Sequence, residues 1–313
     1  MRRLALMNQK GGVGKTTTAV NLAAAVARQG RRSLLVDLDP QAHATLHVGV
    51  DPDQADATIY DLLIDPQIDP FEAVIEARPN LGLIASETDL AGAETELALV
   101  ENRHRRLSGL LDRLEGRYEF VFIDCPPSLG LLTMNGLVAA REVIIPMQAH
   151  FLALQGLGKL LETVSLVRSQ LNPRLRVAGV VLCMHDTQAT HTREVVSDME
   201  AFFNEARDVA ESPWRYARVF RPAIRRNIKL AESPSFGQTI FDYAPAAPGA
   251  QDYDELAAVL LRDWDRMLER RSVEPGTVSI DTEKTVVTRP AQDVPEVQVT
   301  SNVRTVREEE PRP

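Results

Sequence analysis

At 313 residues the chain has room for one large α/β domain of about 250 residues and an extension. A net charge of −9 argues against a generic nucleic-acid binder, and only two cysteines, Cys125 and Cys183, exclude a disulfide framework and suit a reducing cytosol. No run of 18 apolar residues exists, so no membrane-spanning helix is expected, and the first strand starts too early to leave room for a signal peptide.

Taken in chain order, Leu4-Ala5-Leu6-Met7 reads as a buried strand and residues 17–29 as a helix. Between them lies Lys10-Gly11-Gly12-Val13-Gly14-Lys15-Thr16-Thr17, a glycine-rich loop. Strand, glycine loop and helix N-terminus form an anion site, because backbone N–H groups point inward and the helix dipole favours negative charge. The glycines let the backbone approach phosphates with no Cβ in the way. In such a loop Lys15 reaches the β- and γ-phosphates and the Thr16 hydroxyl ligates Mg²⁺. The strict pattern G-x-x-x-x-G-K-[ST] is not met. Gln9 occupies its first glycine position and Lys10 stands directly before the glycines, which is the deviant form of the motif.

Two further apolar runs end in acids. Ser33-Leu34-Leu35-Val36 leads to Asp37 and Asp39; Phe120-Val121-Phe122-Ile123 leads to Asp124. Uninterrupted apolar strands are what a parallel sheet covered on both faces requires, and ligands sit at the carboxyl ends of such strands. A single Asp there is ordinarily a cap or turn residue. Three beside a phosphate loop point instead to holding Mg²⁺ or orienting a water.

Strand-like runs at 81–85, 143–146 and 177–183 then alternate with helix-like runs at 90–114, 154–171 and 192–206. The expected fold is α/β: a doubly wound, mostly parallel sheet with helices on both faces. No internal repeat is visible. Met184, Phe202 and Phe203 read as core, and His185 and His191 as surface or loop residues with no metal spacing. Residues 213–229 carry Arg215, Arg218, Arg221, Arg225, Arg226 and Lys229 and no acid, a run able to neutralise DNA phosphates or to pair with acids elsewhere. No aromatic spacing suits base stacking, so backbone contact to duplex is favoured, with Arg226 and Lys229 first and Arg221 and Arg225 next. Residues 252–271 form an amphipathic helix with Leu256, Leu260, Trp264 and Leu268 at four-residue spacing. Its polar face is acidic, so it is read as packing on the sheet and not on a membrane. From Ser272 the chain has no leucine and no aromatic residue. Residues 1–271 are thus read as the phosphate-loop domain and 272–313 as a disordered, solvating tail.

The deviant loop, Val36-Asp37-Leu38-Asp39-Pro40-Gln41 and Ile123-Asp124-Cys125-Pro126-Pro127-Ser128 together resemble the ParA/Soj branch of the ParA–MinD ATPases. The match continues through Pro146-Met147-Gln148-Ala149, the segment from Arg226 to Gly237, and Thr239-Ile240-Phe241-Asp242-Tyr243, covering about residues 1 to 270 in one order. The resemblance implies a weak, partner-stimulated ATPase that uses ATP and Mg²⁺. It pairs face to face as a homodimer and binds duplex DNA without sequence preference. A ParB-like, centromere-binding activator releases it, and it is cytoplasmic and nucleoid-associated, with no membrane partner. By position Lys10 reaches the partner subunit's nucleotide, Lys15 holds the β/γ-phosphates, and Thr16 ligates Mg²⁺ with Asp124 and Asp37 acting through its waters. Asp39 positions the attacking water and Thr17 meets the α-phosphate. The other reading left open is a MinD-like or cargo-positioning ATPase at a membrane or cell pole.

This sequence departs from the family pattern at several places. Ala42-His43 stands for the usual Gly-Asn, His150 and Gln155 stand where glutamates are common, and Arg225 replaces a proline near the base pocket. Gln188 stands where an arginine implicated in DNA binding often lies, and the stretch 208–217 is longer than usual. None of these touches the phosphate chemistry.

Overall fold

A computed structural model describes residues 1–150, 153–186 and 190–273. Eight strands form one sheet: β1 Arg2–Leu6, β2 Ser33–Asp37, β3 Val74–Arg78, β4 Leu81–Ile84, β5 Phe120–Asp124, β6 Glu142–Met147, β7 Arg176–Leu182 and β8 Arg218–Val219. Their order is β3-β4-β2-β5-β1-β6-β7-β8, and every neighbouring pair is parallel except β3 with β4. The first strand of the chain therefore lies inside the sheet, and β1, β2 and β5 are buried along their whole length. That burial is why they read as unbroken apolar runs.

Helices α1 Lys15–Arg28, α2 His43–His47, α3 Ile59–Ile64, α4 Leu90–Glu96, α5 Arg106–Arg113 and α6 Leu131–Ala139 are followed by α7 Ala153–Gln170, α8 Thr190–Glu205, α9 Ile228–Glu232, α10 Ile240–Tyr243 and α11 Pro248–Val273. One core joins the sheet to α3 through α8 and the other joins it to α1, α2 and α9 through α11. The doubly wound architecture expected from the sequence is the one found.

The run read as one helix over 90–114 is instead α4 and α5, separated by a turn. Leu97 and Leu107 are both buried while Leu99 between them is 98% exposed, so no single helical face could serve all three. Asn102 sits at φ 58°, a left-handed turn conformation that asparagine tolerates and a helix does not. At the other end, α11 starts before residue 252 and continues to Val273, two residues past the boundary expected at 271. Tyr253, Leu256, Leu260 and Trp264 are buried against the sheet and α1, and the Trp264 ring meets Phe120 edge-on at 6.0 Å. Leu268 is 40% exposed, so the apolar stripe frays toward the end of the helix. Gln188 and the tail beyond Val273 lie outside the described residues.

Candidate phosphate-binding site

The loop from Gln9 to Gly14 runs from the carboxyl end of β1 into α1. The helix begins at Lys15, two residues earlier than the sequence suggested, so Lys15 and Thr16 form its first turn. No side chain caps it: Gly14 is the N-cap, and the first amide groups are left for a ligand. Gly14 has φ 93°, and a Cβ there would meet the Cys183 side chain at 3.3 Å, so both backbone conformation and space demand glycine. The loop is pinned from below by Asn8. Its side-chain amide donates to the Pro146 carbonyl (2.8 Å) and its Oδ1 accepts from the Lys10 amide (3.0 Å). Gln148 Nε2 adds a 3.3 Å bond to the Gly12 carbonyl. Sequence reading missed Asn8, because a lone asparagine after a strand carries no motif.

Parallel pairing brings the acids together. Asp124 ends β5 level with Leu6 on one side and Asp37 on the other. Asp37 and Asp124 are wholly buried, and Asp39 and Lys15 nearly so. Their surroundings differ. Asp37 Oδ2 accepts from the Thr45 amide (2.9 Å) and hydroxyl (2.8 Å), and Oδ1 accepts from the Asp39 amide (3.1 Å). It braces the turn that carries Asp39, with Oδ2 taken up by Thr45 and one acceptor site left on Oδ1. Neither oxygen of Asp124 has a partner in good hydrogen-bond geometry, although the Thr16 hydroxyl lies near enough to favour the ionised form. A buried carboxylate left unsatisfied is costly unless a cation or ordered water completes it. Burial, then the neighbouring Asp37, pushes the Asp124 carboxyl up to about 8, with Lys15 opposing. Burial also raises Asp37, to about 6, against its bonds from Thr45. The residues beside the loop thus fit a hydrated divalent cation at Asp124 and Thr16.

Asp39 holds the next turn, its Oδ1 accepting from the Gln41 amide at 3.1 Å and its carbonyl accepting from Ser86 Oγ at 2.8 Å. Lys10 is exposed on the loop and its Nζ lies 2.8 Å from His150 Nε2. An ammonium can only donate, so this contact is a hydrogen bond in the ring tautomer whose Nε2 accepts.

Beside the loop lies a cavity of about 380 Å³ whose walls include Thr17, Met184, Ile224, Arg226, Asn227 and Ile228. Apolar walls with a few polar groups next to a phosphate cradle suit a nucleoside. The Asn227 side chain caps α9 by accepting from the Lys229 amide (2.9 Å). Under the cradle, the buried Tyr253 hydroxyl of α11 meets Thr18 Oγ1 of α1 at 3.0 Å.

Of the two readings of the basic run, pairing with acids describes most of it. Arg225 grips the buried Asp252 (2.7 Å), Arg221 pairs with Glu200 (2.8 Å), Arg218 pairs with Asp263, and Lys229 pairs with Glu232 (2.8 Å) and lies over the Tyr243 ring. Of the four residues expected to meet DNA, Arg226 alone is exposed with no ionic partner among the described residues.

The AAA domain family matches residues 1–177. The chromosome partitioning protein ParA of Myxococcus xanthus is 41% identical over 273 residues, 86% of this chain and 92% of that protein. The chromosome-partitioning ATPase Soj of Thermus thermophilus is 45% identical over 257 residues, 82% of this chain and 94% of its own length. A solved structure described as cobyrinic acid a,c-diamide synthase from Mycobacterium smegmatis, holding an ATP analogue and magnesium, superposes with a TM-score of 0.71 at 37% identity, over 85% of this chain and 96% of that one.

Proposed function

The chain belongs to the ParA/Soj family of chromosome-partitioning ATPases, and on that footing we propose that it is an ATP-dependent dimerisation switch that holds duplex DNA without sequence preference. Hydrolysis of ATP to ADP and phosphate, stimulated by a ParB-like centromere-binding partner, releases it. Its place of action is then the cytoplasm, on the nucleoid.

The buried Asp124 carboxylate beside the uncapped start of α1 is the observation that carries the nucleotide chemistry. The phosphates would rest on the loop from Gly11 to Thr17, with Lys15 on the β- and γ-phosphates and the nucleoside in the adjoining cavity. Thr16 and Asp124 would hold Mg²⁺, which when bound neutralises phosphate charge. Asp39, braced by Asp37, orients the attacking water. Lys10 lies on the exposed side of the loop, held by a single hydrogen bond. That suits a cation that leaves its own subunit and stabilises the transferring phosphoryl group across a dimer interface.

For DNA, the ion pairs narrow the expectation to Arg226. Lys229, Arg221 and Arg225 would each have to exchange an acidic partner for a phosphate. The membrane alternative loses support, because three of the four residues that made α11 amphipathic, Leu256, Leu260 and Trp264, face the core. The deciding experiment is duplex binding with ADP, ATP and a slowly hydrolysed ATP analogue across a salt series, for wild type and Arg226→Glu, with nucleotide affinity measured alongside because Arg226 also lines the nucleoside cavity. ATP-dependent binding that weakens with salt and in Arg226→Glu supports the switch. Absence of DNA binding in every nucleotide state, with dimerisation intact, would defeat it.

A further inference from the structure

The end of the sheet remote from the phosphate loop carries a second cavity, of about 480 Å³. Its floor is made by the first residues of four strands: Arg2 of β1, Glu142 of β6, Arg176 of β7 and Arg218 of β8. Its wall is one face of α11, where Asp263, Arg266, Met267 and Arg270 recur at helical spacing. Five arginines thus meet two acids in a chain whose net charge is −9.

Both acids are already taken. Glu142 Oε2 accepts from Arg2 Nε (2.6 Å) and Oε1 accepts from Arg176 Nε (2.9 Å), while Arg2 Nη1 also donates to the Leu260 carbonyl (2.7 Å). This network ties β1, β6, β7 and α11 together, and it accounts for Arg2 as architecture. Asp263 is paired by Arg218, whose guanidinium lies over the Phe220 ring at 4.8 Å. Arg266 and Arg270 are left over. They are exposed, one helical turn apart, and without a hydrogen-bond or ionic partner among the described residues. Arg176 and Arg218 also keep side-chain exposures of 43% and 42%, so each has donors left to offer. Tyr216, 73% exposed, stands at the rim beside Phe220 and Met267.

We propose that this cavity is a binding site for a phosphate ester of nucleotide size, gripped by Arg266 and Arg270 with the free edges of Arg176 and Arg218, its ring resting on the exposed Tyr216 at the rim. Several guanidinium forks on one ligand need more acceptor oxygens than a carboxylate offers, and a phosphate supplies them in the geometry arginine matches. The aromatic and thioether wall suits a flat ring. The site is distinct from the phosphate loop and from the Arg226 surface, and its occupancy does not depend on how those two work.

The test is isothermal titration of thymidine 5′-monophosphate into protein loaded with one equivalent of ADP, aluminium fluoride and magnesium, so that the phosphate loop is filled. Wild type and the double variant Arg266→Ala, Arg270→Ala are compared. One saturable site is expected in wild type, weakened at least about tenfold in the double variant. Unchanged ADP affinity in that variant will show that the fold is intact, since neither arginine has a partner to lose. No saturable uptake, or equal uptake by both proteins, would overturn the site. Binding of duplex DNA at these arginines without uptake of the monophosphate would overturn it too, by making the cavity part of a phosphodiester track.

Discussion

Replacing Asp124 by asparagine should stabilise the nucleotide-free protein while removing its response to magnesium nucleotide. Burial and the adjacent Asp37 hold the Asp124 carboxyl at about 8 in the folded chain, well above the ordinary 3.8. Between those values the folded state binds a proton that the unfolded state does not. Stability therefore falls as pH rises, by up to about 1.4 kcal/mol per unit, and the loss levels off near the folded value. From pH 6 to pH 8 one such group removes about 2 kcal/mol, or roughly 5 °C of melting temperature for a domain of this size. Asp37, raised to about 6, acts mostly below that window. Asparagine keeps the shape and has no proton to lose. Thermal melts of wild type and Asp124→Asn, stripped of nucleotide and metal, at pH 6 and pH 8 read this directly. Wild type should melt lower at pH 8, and the variant should show little difference and melt higher than wild type there. Adding ADP and Mg²⁺ at pH 8 should raise wild type well above the variant. An equal pH loss in both proteins would mean that Asp124 is not the group that titrates, and the cation site built on it would fall with it.

Lys10→Ala should retain ATP binding and lose ATP-induced dimers in light scattering. His150→Glu, by putting a carboxylate within reach of the ammonium, should tighten the grip on Lys10 and shift the dimer midpoint to higher protein concentration; normal dimers in Lys10→Ala would refute the role across the interface. Asp39→Ala should bind ATP and dimerise but turn over at least about a hundredfold more slowly, remaining on DNA; full turnover would end its assignment to the water. Gly14→Ala should cost about 1–2 kcal/mol of folding stability from the strained φ and the Cys183 contact together, measured by urea unfolding, with nucleotide affinity lost as well. Wild-type stability in that variant would show that the loop relaxes freely.

Those residues were visible in the sequence to different degrees, and the reasons are physical. The phosphate loop and the three acids announced themselves because a parallel sheet forces unbroken apolar strands and puts the next residues at one edge. What that pattern could not reveal was which acid is free. Thr45, eight residues beyond Asp37, occupies that carboxylate, and a side-chain bond of this kind has no spacing rule. The arginine run looked uniform for the same reason: Asp252, Glu200 and Asp263 come from other elements, and only the folded chain brings them to it, whereas Glu232 pairs with Lys229 from three residues on along α9. Strands β3 and β8 escaped notice because edge strands need little burial; β3 is half-exposed along its length, and β8 has two residues. The nucleoside cavity is assembled from α1, the end of β7 and the approach to α9, so no contiguous stretch spells it out.

The contact between α11 and the first elements of the chain has a consequence for biosynthesis. β1 needs β5 and β6 on its flanks, Arg2 needs the Leu260 carbonyl, and Thr18 at the root of the phosphate loop needs the Tyr253 hydroxyl. The earliest-made segment of the chain is thus among the last to be completed, since its partners on α11 are made more than two hundred residues later. A nascent chain thus carries the whole phosphate motif long before the α11 contacts that support it can form.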